Sequence, residues 1–480
     1  MTIERKIFNK KTKIVATLGP ATNTKEILRE LVYAGVNVFR INFSHADYED
    51  VLQKMAWIRE INEEENVSIG ILGDLQGPKL RVGVVEEGSF LNPGDVLTFT
   101  NDKVTGNAKK VFMTYKQFAK DVKVGENILI DDGKLILEVL STDQEKEVTA
   151  KVVQGGELKS KKGVNLPKTN VSLPALTEKD IEDAKFAIAQ EVDWIALSFV
   201  RHAQDVIDLK NLINEHSPHK IPIIAKIEKP EAIENIDEII PQCDGLMVAR
   251  GDLGVEIPME QVPVIQKVLV DKAKVARKPV IIATQMMESM IDSLTPTRAE
   301  VNDVANSVMD GADAVMLSGE TSVGENPVEV IKVMANICKT VENDPHIRVP
   351  SHTPSDTEGK RHITNVICFN AAKMAEHTKT KAIITITYSG YTAFQISSHR
   401  PDANIFVFTP NRTILGMLNL LWGVEAFYYQ GDKSTDETVI EVNRYLKRRG
   451  LVMDGDFVIN LSAMPVFRKG ITNTLRFTTI

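Results

Sequence analysis

Short apolar runs, separated by longer segments of helical periodicity, repeat along most of the chain. The first run lies at residues 12–17 and the eighth at Ala314–Leu317. Continuous apolar runs of this length are typical of parallel strands buried on both faces, and their alternation with helices is typical of α/β folds. When one long insertion is left aside, the eight strand-and-helix units predict a (β/α)8 barrel, the fold also called a TIM barrel.

The pattern changes between residues 76 and 172, where short alternating strands, many glycines and charged turns replace the helical segments. This change predicts a small all-β domain, which we call the lid, inserted between the third and fourth barrel units. A segment rich in proline, serine and threonine later predicts a linker before a further α/β region. The predicted organisation is an arm at residues 1–10, a barrel at 11–75 and 173–344, the lid at 76–172, a linker at 345–360 and a C-terminal α/β domain at 361–480.

Length and composition limit the function classes. At 480 residues the chain is long enough for two to four domains, and its net charge of −8 argues against a general nucleic-acid binder. Cys243, Cys338 and Cys368 follow neither a zinc-binding nor a disulfide pattern, so we expect buried thiols in a reducing compartment. No apolar run approaches the roughly 18 residues of a membrane span, and the N-terminal residues lack the apolar core of a secretory signal. We therefore expect a cytoplasmic protein that binds neither nucleic acid nor a membrane.

The segment 221–256 contains two predicted buried strands, Ile221–Ala225 and Gly245–Ala249, with one helix that ends near Pro241 between them. Each strand ends in charged residues. Lys226 and Glu228 follow the first strand, and Arg250 and Asp252 follow the second. Glu228 and Asp252 offer hard oxygen ligands that could share one Mg²⁺ or Mn²⁺. With the ammonium of Lys226 they would form a clamp for a phosphoryl group. The alternative is a structural salt-bridge cluster, because ion-pair networks also gather at strand ends.

Polar or charged residues follow almost every predicted barrel strand. The carboxyl ends of barrel strands meet at one face, where the active sites of barrel enzymes lie. Arginine and lysine at this face suit an anionic, phosphorylated substrate. The residues are Arg40, Asn42, Ser44, Asp74, Arg81, Ser198, Phe199, Lys226, Glu228, Arg250, Asp252, Thr284, Ser318 and Glu320.

Three long motifs carry a resemblance to the pyruvate kinase family. They are AKIEKPE at residues 225–231, MVARGDLGVE at 247–256 and ATQMMESM at 283–290. The resemblance runs from Lys11 to the C-terminus. It implies a phosphotransferase that converts phosphoenolpyruvate and ADP into pyruvate and ATP, the last step of glycolysis. It also implies a homotetramer that depends on Mg²⁺ or Mn²⁺ and is regulated allosterically through the C-terminal domain.

The resemblance assigns roles on the substrate side of the site. Arg40 would hold the transferring phosphoryl group, and Lys226 would stabilise its charge during the transfer. The backbone amides of Arg250, Gly251 and Asp252 would receive the carboxylate of the substrate.

The resemblance also implies a metal, a proton path and a mobile lid. Glu228 and Asp252 would bind the divalent metal. Thr284 would lie beside the substrate and help to set up protonation of the enolate. Ser318 and Glu320 would complete a shell that relays a proton or positions water, and Asp132 and Arg81 would approach when the lid closes.

On the nucleotide side, Asn42 or His45, Arg81 and Lys162 match the family. The residue pattern alone favours a solvated basic turn for residues 159–162. A capping or packing role is an equal alternative for His45.

One departure from the common family pattern concerns a monovalent cation. Asn42, Ser44 and Asp74 match the potassium-binding residues, but Leu75 stands in place of a threonine and Lys79 in place of a glutamate. The chain therefore resembles the branch of the family that does not require K⁺. The lysine ammonium would supply the charge that the missing ion gives elsewhere. A solvent-facing Lys79 is the alternative.

The C-terminal domain contains a candidate effector loop between a predicted strand and a predicted helix. Hydroxyl groups and a glycine before a helix N-terminus suit a phosphate, so AMP or a sugar monophosphate is the expected ligand class. An ordinary turn and helix cap is the alternative. Residues 468–474 would add cations, and the loop residues are Thr385, Thr387, Ser389, Gly390 and Thr392.

Two other functions remain open from the sequence. The first is another barrel enzyme of phosphoenolpyruvate or pyruvate, such as a metal-dependent aldolase or mutase, although the lid and the C-terminal domain argue against it. The second is an inactive relative that binds metabolites as a regulator. Suitable residues at all the matched catalytic positions argue against the second function.

Overall fold

A closed barrel of eight parallel strands forms the centre of the protein, as predicted. The structure, a computed structural model, describes residues 10–44, 46–354, 359, 361–430, 434–464 and 471–480. Each strand pairs in parallel with its neighbours in chain order, and the eighth pairs with the first to close the barrel. The strands are β1 (Lys13–Thr17), β2 (Val38–Asn42), β3 (Gly70–Asp74), β4 (Trp194–Leu197), β5 (Ile223–Ile227), β6 (Gly245–Ala249), β7 (Val280–Ala283) and β8 (Ala314–Leu317).

Two strands begin and end later than the apolar pattern predicted. β5 covers Ile223–Ile227 rather than residues 221–225, so that Lys226 lies within the strand. β3 covers Gly70–Asp74 rather than residues 68–72, so that Asp74 also lies within a strand. A charge normally marks the end of a buried strand, but these two side chains form an ion pair across the barrel. Burial of a charge is tolerated here because the opposite charge is buried beside it.

Helices surround the barrel, and their starts follow local capping signals. Thr24 caps the first helix, and Thr177 with Asp180 forms the predicted capping box of the helix that follows the lid. The segment between β5 and β6 contains two helices that meet at Asn235, where one helix ending near Pro241 was predicted. The helices are Lys25–Ala34, Tyr48–Glu65, Glu178–Ala189, Ala203–His216, Pro230–Glu234, Ile236–Gln242, Arg250–Glu256, Val262–Val275, Arg298–Asp310, Gly319–Ser322 and Pro327–Glu342, with 3-10 turns at Pro20–Thr22, Met259–Gln261 and Glu288–Ile291.

The lid is a β domain with its own hydrophobic core, formed around Leu97, Phe99 and Leu137. It contacts the barrel through Asn165, whose Nδ2 donates to Glu256 Oε1 at 2.9 Å. The end of the lid is held by Arg201, whose guanidinium donates to the backbone carbonyls of Val171 in the lid and of Leu173 just after it. Its strands are Phe90–Leu91, Val96–Thr100, Lys110–Phe112, Asn127–Ile130, Leu135–Thr142, Glu147–Gln154, Gly156–Glu157 and Val164–Asn165, and its helix is Phe118–Asp121.

The C-terminal domain is a five-stranded sheet with helices, and it packs against the amino-terminal end of the barrel strands. Trp194 Nε1 donates to the carbonyl of Met417 at 3.1 Å, and Asn419 Nδ2 donates to the carbonyl of Asn37 at 2.9 Å. One apolar cluster continues from the barrel interior into this domain. In spatial order, the strands of the sheet are Val424–Tyr428, Asn404–Thr409, Ala382–Ile386, Phe457–Ser462 and the antiparallel Thr474–Thr479. The helices are His362–Thr378, Tyr391–Ser398, Leu415–Leu418 and Thr435–Arg448, with a 3-10 turn at Arg412–Ile414.

We call the end of the barrel at the carboxyl ends of the strands the mouth. The described part of the C-terminal domain does not cover the mouth, which is bordered by the lid and the loops. Within the described residues, no helix is both long and apolar enough to cross a membrane.

Candidate active site

Lys226 is the centre of a buried ion cluster at the mouth. Its Nζ lies 3.2 Å from Asp74 Oδ1, 3.0 Å from Glu228 Oε1 and 2.7 Å from Ser198 Oγ. Lys226 is 9% exposed, and both carboxylates are almost completely buried. The barrel brings these groups together because β3, β4 and β5 are neighbouring strands. The cluster therefore combines one ammonium with two carboxylates in a place from which bulk water is largely excluded.

Arg40 extends this cluster from β2. Its Nε donates to Asp74 Oδ2 at 2.6 Å, and its Nη1 donates to Thr17 Oγ1 at 3.0 Å. Thr17 Oγ1 in turn donates to the carbonyl of Leu317 at 2.8 Å. Asp74 thus bridges two cations, and the guanidinium is fixed from two sides. Nη2 of Arg40 has no hydrogen-bond partner among the described residues.

The surroundings of these groups set their charge states. Burial by itself lowers the pKa of Lys226, but the charges of Asp74 and Glu228 outweigh it and raise the pKa above its ordinary value. Burial raises the pKa of Asp74, but the charges of Lys226 and Arg40 outweigh it, and the pKa is lowered. Burial also raises the pKa of Glu228, and the nearby charge of Asp252 raises it further. Lys226 is therefore charged at neutral pH. A further cation near Glu228 would favour the ionised form of its carboxylate.

Glu228 and Asp252 are the residues that could hold a metal. Glu228 Oε2 accepts from the Phe199 amide at 2.8 Å, and Asp252 has no hydrogen bond or ion pair among the described residues. Within this part of the chain, no group of three or more His, Cys, Asp or Glu side chains forms a metal cage. Mg²⁺ is commonly held by one or two carboxylates together with water and substrate phosphate, so two ligands are compatible with that ion.

The short helix Arg250–Glu256 follows β6 directly, and contacts of the Arg250 side chain hold it in place. The guanidinium of Arg250 forms a bidentate ion pair with Asp303, with both N–O distances 2.7 Å, and Nη2 also donates to the carbonyl of Thr284 at 2.7 Å. The Arg250 guanidinium thus faces Asp303 and the Thr284 carbonyl in this structure. Arg250 positions the loop that carries Asp252.

Thr284 follows β7 in a strained conformation. Its φ angle is +69°, which is rare for a β-branched residue, and such strain is concentrated at functional sites. Thr284 Oγ1 donates to the carbonyl of Ala283 at 2.6 Å and accepts from the Gly251 amide at 2.7 Å. The Gly251 amide, which we expected to receive the substrate carboxylate, is therefore engaged by Thr284 in this structure. A Cβ at Gly251 would lie 3.3 Å from Thr284 Oγ1, so this close approach favours glycine.

Glu320 is buried and ties two mouth loops together. Its Oε1 accepts from the Met287 amide at 3.1 Å, and its Oε2 accepts from the Ser318 amide at 2.7 Å. Burial raises the pKa of Glu320, which these amides oppose. The side chain lies beside the loops that follow β7 and β8, next to the expected proton path.

The residues expected on the nucleotide side fall into two places. Asn42 lies at the mouth, and its Oδ1 accepts from the Ser44 amide at 3.2 Å. Arg81 and Lys162 lie in the lid, where Arg81 Nη1 donates to the carbonyl of Lys161 at 2.8 Å. Lys162 Nζ lies 3.0 Å from Asp131 Oδ1. Asp132 is exposed beside it, and His45 lies outside the described residues.

The monovalent-cation residues are only partly brought together. Asn42 and Asp74 lie at the paired ends of β2 and β3, with Ser44 close after β2. Leu75 is buried in the hydrophobic core and offers no side-chain oxygen. The side chain of Lys79 is exposed and has no ion pair or hydrogen bond within the described residues. Lys79 lies near the start of the lid and borders a cleft of about 500 Å³ between lid and barrel.

The expected effector loop lies between the strand Ala382–Ile386 and the helix Tyr391–Ser398, as predicted. Gly390 has a φ angle of +81°, and its amide donates to Thr387 Oγ1 at 3.1 Å. Thr392 Oγ1 lies 3.1 Å from Thr472 Oγ1, and Ser389 is exposed. The hydroxyl of Thr385 is buried without a hydrogen bond, so it faces the domain interior. Residues 468–470, which were expected to add cations, lie outside the described residues.

Three residues of the site were not assigned a role from the sequence. Ser198 binds Lys226, Asp303 binds Arg250, and Thr17 binds Arg40. Ser198 and Thr17 end barrel strands, so their position carried a signal. Asp303 lies within a helix, and no feature of the sequence marks it as the partner of Arg250.

Comparison with known proteins agrees with this arrangement. Residues 9–331 match the family model described as "Pyruvate kinase, barrel domain", and residues 365–478 match "Pyruvate kinase, alpha/beta domain". The chain is 42% identical to a pyruvate kinase of Corynebacterium glutamicum over 469 residues, which cover 98% of this chain and 97% of that protein. It is 44% identical to a pyruvate kinase of Geobacillus stearothermophilus over 472 residues, 98% of this chain and 80% of that protein.

A solved structure shows the same fold. The crystal structure of a pyruvate kinase from Cryptosporidium parvum aligns with a TM-score of 0.90 and 35% identity, covering 98% of this chain and 96% of that one. The two family matches together, and the relatives and this neighbour each, cover nearly the whole chain. The chain therefore belongs to the pyruvate kinase family.

Proposed function

We infer that this chain transfers the phosphoryl group of phosphoenolpyruvate to ADP and so produces pyruvate and ATP. The observation that carries the inference is the buried cluster of Lys226, Asp74, Glu228 and Arg40 at the mouth of the barrel of a pyruvate kinase family member. Phosphoryl transfer needs positioning and charge stabilisation rather than a covalent protein intermediate. The cluster offers both.

Lys226 and Arg40 would act on the transferring phosphoryl group. Lys226 is charged at neutral pH because its carboxylate partners raise its pKa, and it is held rigidly by three oxygen atoms. Arg40 is oriented through Nε and Nη1, which leaves Nη2 for a phosphoryl oxygen. Because these cations are fixed before the reaction, little reorganisation is required when charge develops on the transferring group.

Glu228 and Asp252 would hold one divalent cation, Mg²⁺ or Mn²⁺. Asp252 has a carboxylate without a partner among the described residues, and the raised pKa of Glu228 indicates a site that gains from added positive charge. When bound, the ion would neutralise oxygen charge on the substrate. The Arg250–Asp303 pair supports the proposal because it fixes the loop from which Asp252 projects.

Thr284 would lie beside the substrate where the enolate gains its proton. Its strained backbone and its hydrogen bonds to Ala283 and Gly251 fix the hydroxyl at the mouth. Ser318 and Glu320 would complete the surroundings of the proton path. Glu320 acts through the loops that it ties together, because both of its oxygens accept backbone amides.

Activity would not require K⁺. Leu75 removes a side-chain oxygen from the expected cation site, and the carboxylate of Asp74 is already neutralised by Arg40 and Lys226. Lys79 lies on the segment that connects barrel and lid, where a change in lid position would move it. Its ammonium would then supply the positive charge that K⁺ supplies elsewhere in the family.

The remaining assignments concern the nucleotide, the effector and the assembly. ADP would bind between barrel and lid near Asn42, His45, Arg81 and Lys162, and Asp132 would approach on lid closure. A phosphorylated effector such as AMP or a sugar monophosphate would bind at residues 385–392. The enzyme would be a homotetramer in the cytoplasm, where its three buried free cysteines would stay reduced.

The direct test is pyruvate formation by the purified protein from phosphoenolpyruvate and ADP with Mg²⁺. Pyruvate and ATP should appear in equal amounts, and omission of either substrate or of Mg²⁺ should abolish both. Binding of ADP and phosphoenolpyruvate by a well-folded protein without turnover would instead identify an inactive metabolite-binding relative.

A further inference from the structure

A second group of buried and half-buried cations lies at the other end of the barrel, where the C-terminal domain docks. They line a narrow cleft of about 10 Å³ that is partly open to solvent. The barrel contributes the helix Val262–Val275 and the turn before β7, and the C-terminal domain contributes the helix Tyr391–Ser398. The lining includes four cationic side chains, those of Lys274, Arg277, Lys278 and Arg400, but one carboxylate, that of Asp313.

Lys274 is the unusual member of this group. It is 3% exposed, yet its ammonium has no ion pair and no hydrogen bond among the described residues. Its pKa is lowered to about 8, mainly by burial and then by the charge of Arg400, against the opposing charges of Asp271, Asp313 and Asp310. A buried ammonium without a partner is costly, so such a group indicates a missing anion.

Arg400 meets Lys274 at Gly311. Nη2 of Arg400 donates to the carbonyl of Gly311 at 2.8 Å and lies 2.9 Å from Asp313 Oδ2. The Nζ of Lys274 lies 3.5 Å from the position that a Cβ of Gly311 would occupy. Nε of Arg400 is buried without a hydrogen-bond partner. One fully buried donor, Nε of Arg400, therefore lacks an acceptor, and the ammonium of Lys274 beside it has no partner among the described residues.

The single carboxylate cannot neutralise the cleft. Asp313 Oδ2 also accepts from the Val280 amide at 3.0 Å, and its Oδ1 accepts from the Trp422 amide at 3.4 Å. The other nearby acids are engaged elsewhere, since Asp271 binds His352 and Asp310 binds Gln266 and Lys267. The lining thus carries an excess of positive charge.

Arg277 adds a guanidinium from the barrel that is bonded to the C-terminal domain. Nη1 of Arg277 donates to Ser398 Oγ at 3.2 Å, and Nη2 donates to the carbonyl of His352 at 2.6 Å. Close to this point, His399 is buried, and burial together with the charge of Arg277 lowers its pKa to about 3. His399 therefore stays neutral at physiological pH and adds no charge near the cleft.

We propose that this cleft binds a small oxyanion, either inorganic phosphate or the phosphoryl group of a small metabolite, between the barrel and the C-terminal domain. Arginine and lysine together are the usual donors for phosphate oxygens. The cleft encloses about 10 Å³, against roughly 300–1,000 Å³ for pockets that take drug-sized ligands, so it has no room for a nucleotide. The proposal concerns residues far from the mouth and does not depend on the proposed reaction.

The oxyanion would stabilise the docked position of the C-terminal domain. Lys274 belongs to the barrel and Arg400 to the C-terminal domain. One anion that contacts both side chains would therefore add an ionic contact between the two domains. A ligand that binds the folded state alone raises its stability by mass action.

The test compares thermal unfolding of the full chain in inorganic phosphate with unfolding in KCl of the same ionic strength. At ten or more times its Kd, phosphate should raise Tm of the wild-type protein by about 1–4 °C. Lys274→Met should lose this rise and, in KCl, should melt no lower than wild type because it removes an unpaired buried charge. Lys272→Met is the matched control on the same helix, because Lys272 is partly exposed and pairs with Asp237, and it should keep the rise.

Two further arms identify the site and the source of the anion. Lys226→Met should keep the difference between phosphate and KCl, which separates the cleft from the active site. Glycerol 3-phosphate in place of phosphate should raise Tm if the natural ligand is a phosphoryl ester, and only inorganic phosphate should do so if it is the free ion. The proposal is overturned if Lys274→Met keeps the full phosphate effect, or if it melts well below wild type in KCl, since Lys274 would then be a structural residue.

Discussion

Lys226 and Lys274 are two buried lysines at opposite ends of the same barrel, and their surroundings differ in one respect. Lys226 lies within about 3 Å of two carboxylates, which raise its pKa despite burial. Lys274 has no ion-pair partner among the described residues, and burial lowers its pKa to about 8. The depth of burial is similar, so the presence of carboxylate partners decides the charge state.

The difference indicates two uses of a buried ammonium. At the mouth the protein supplies the counter-charges itself, so under the proposed function the cation would already be in place when a phosphoryl group arrives. At the junction with the C-terminal domain the counter-charge is missing, so an anion from solution would complete the site. The following predictions test this contrast, beginning with the largest expected effect.

Asp74→Asn should produce the largest loss of stability. The substitution leaves Arg40 and Lys226 buried next to each other without the carboxylate that bridges them. Removing one partner from a buried ion pair typically costs about 3–5 kcal/mol. Unfolding in denaturant should show this loss, and turnover should fall as well. Asp95→Asn, on the surface of the lid, is the control and should change neither quantity. A fully stable and active Asp74→Asn variant would show that the cluster needs no internal counter-charge.

Glu228→Gln and Asp252→Asn should each weaken binding of the divalent metal by about tenfold or more, because each removes one anionic ligand. Titration of Mn²⁺, followed by electron paramagnetic resonance without substrate, measures this directly. Asp237→Asn removes an exposed carboxylate on a neighbouring helix and should leave the affinity unchanged. Equal Mn²⁺ affinity in all of these proteins would place the metal elsewhere.

Lys79→Glu should make activity depend on K⁺. The wild-type protein should respond less than about twofold when K⁺ replaces Na⁺, whereas the variant should gain about fivefold or more, equivalent to about 1 kcal/mol at the transition state. Lys116→Glu, an exposed lysine that borders the same cleft, is the control for added negative charge. If wild-type activity itself rises severalfold with K⁺, the assignment of Lys79 is wrong.

The smallest effect is a pH dependence of stability due to Lys274. Between its folded pKa of about 8 and its ordinary value of 10.5, Lys274 binds fewer protons in the folded than in the unfolded protein. Its contribution to stability therefore rises with pH across this window, because the cost of the buried charge disappears. In KCl, the stability advantage of Lys274→Met over wild type should shrink by about 1–2 kcal/mol between pH 7.5 and 9.5. Lys272→Met should show no such change, and a constant advantage for Lys274→Met would mean that Lys274 does not titrate in this range.

The fold could be predicted from the sequence because the barrel strands are continuous apolar runs separated by helical segments. β6 and β8 begin and end where predicted. β3 and β5 were misplaced because Asp74 and Lys226 are charged residues inside buried strands. Their mutual neutralisation depends on two strands being brought close by the barrel, and a local pattern carries no information on that contact.

The candidate site was predictable where charge follows a strand and unpredictable where partners come from helices. Lys226, Glu228 and Arg40 lie together as expected, but the pairing of Arg250 with Asp303 was not foreseen. Lys274 shares its helix with the exposed Lys267 and Lys272, and the three look alike in sequence. Only the docked C-terminal domain distinguishes the buried one.

The most direct test of the central contrast is the turnover of Lys226→Met and Lys274→Met, measured side by side with wild type in a phosphate-free assay of pyruvate formation. Loss of one charge-stabilising donor costs about 3–4 kcal/mol, so Lys226→Met should lose at least about 100-fold in kcat while its melting curve stays cooperative. Lys274→Met should keep kcat within about twofold of wild type. Wild-type-like turnover of Lys226→Met, or an equal loss in Lys274→Met, would contradict the assignment of catalysis to the paired lysine at the mouth.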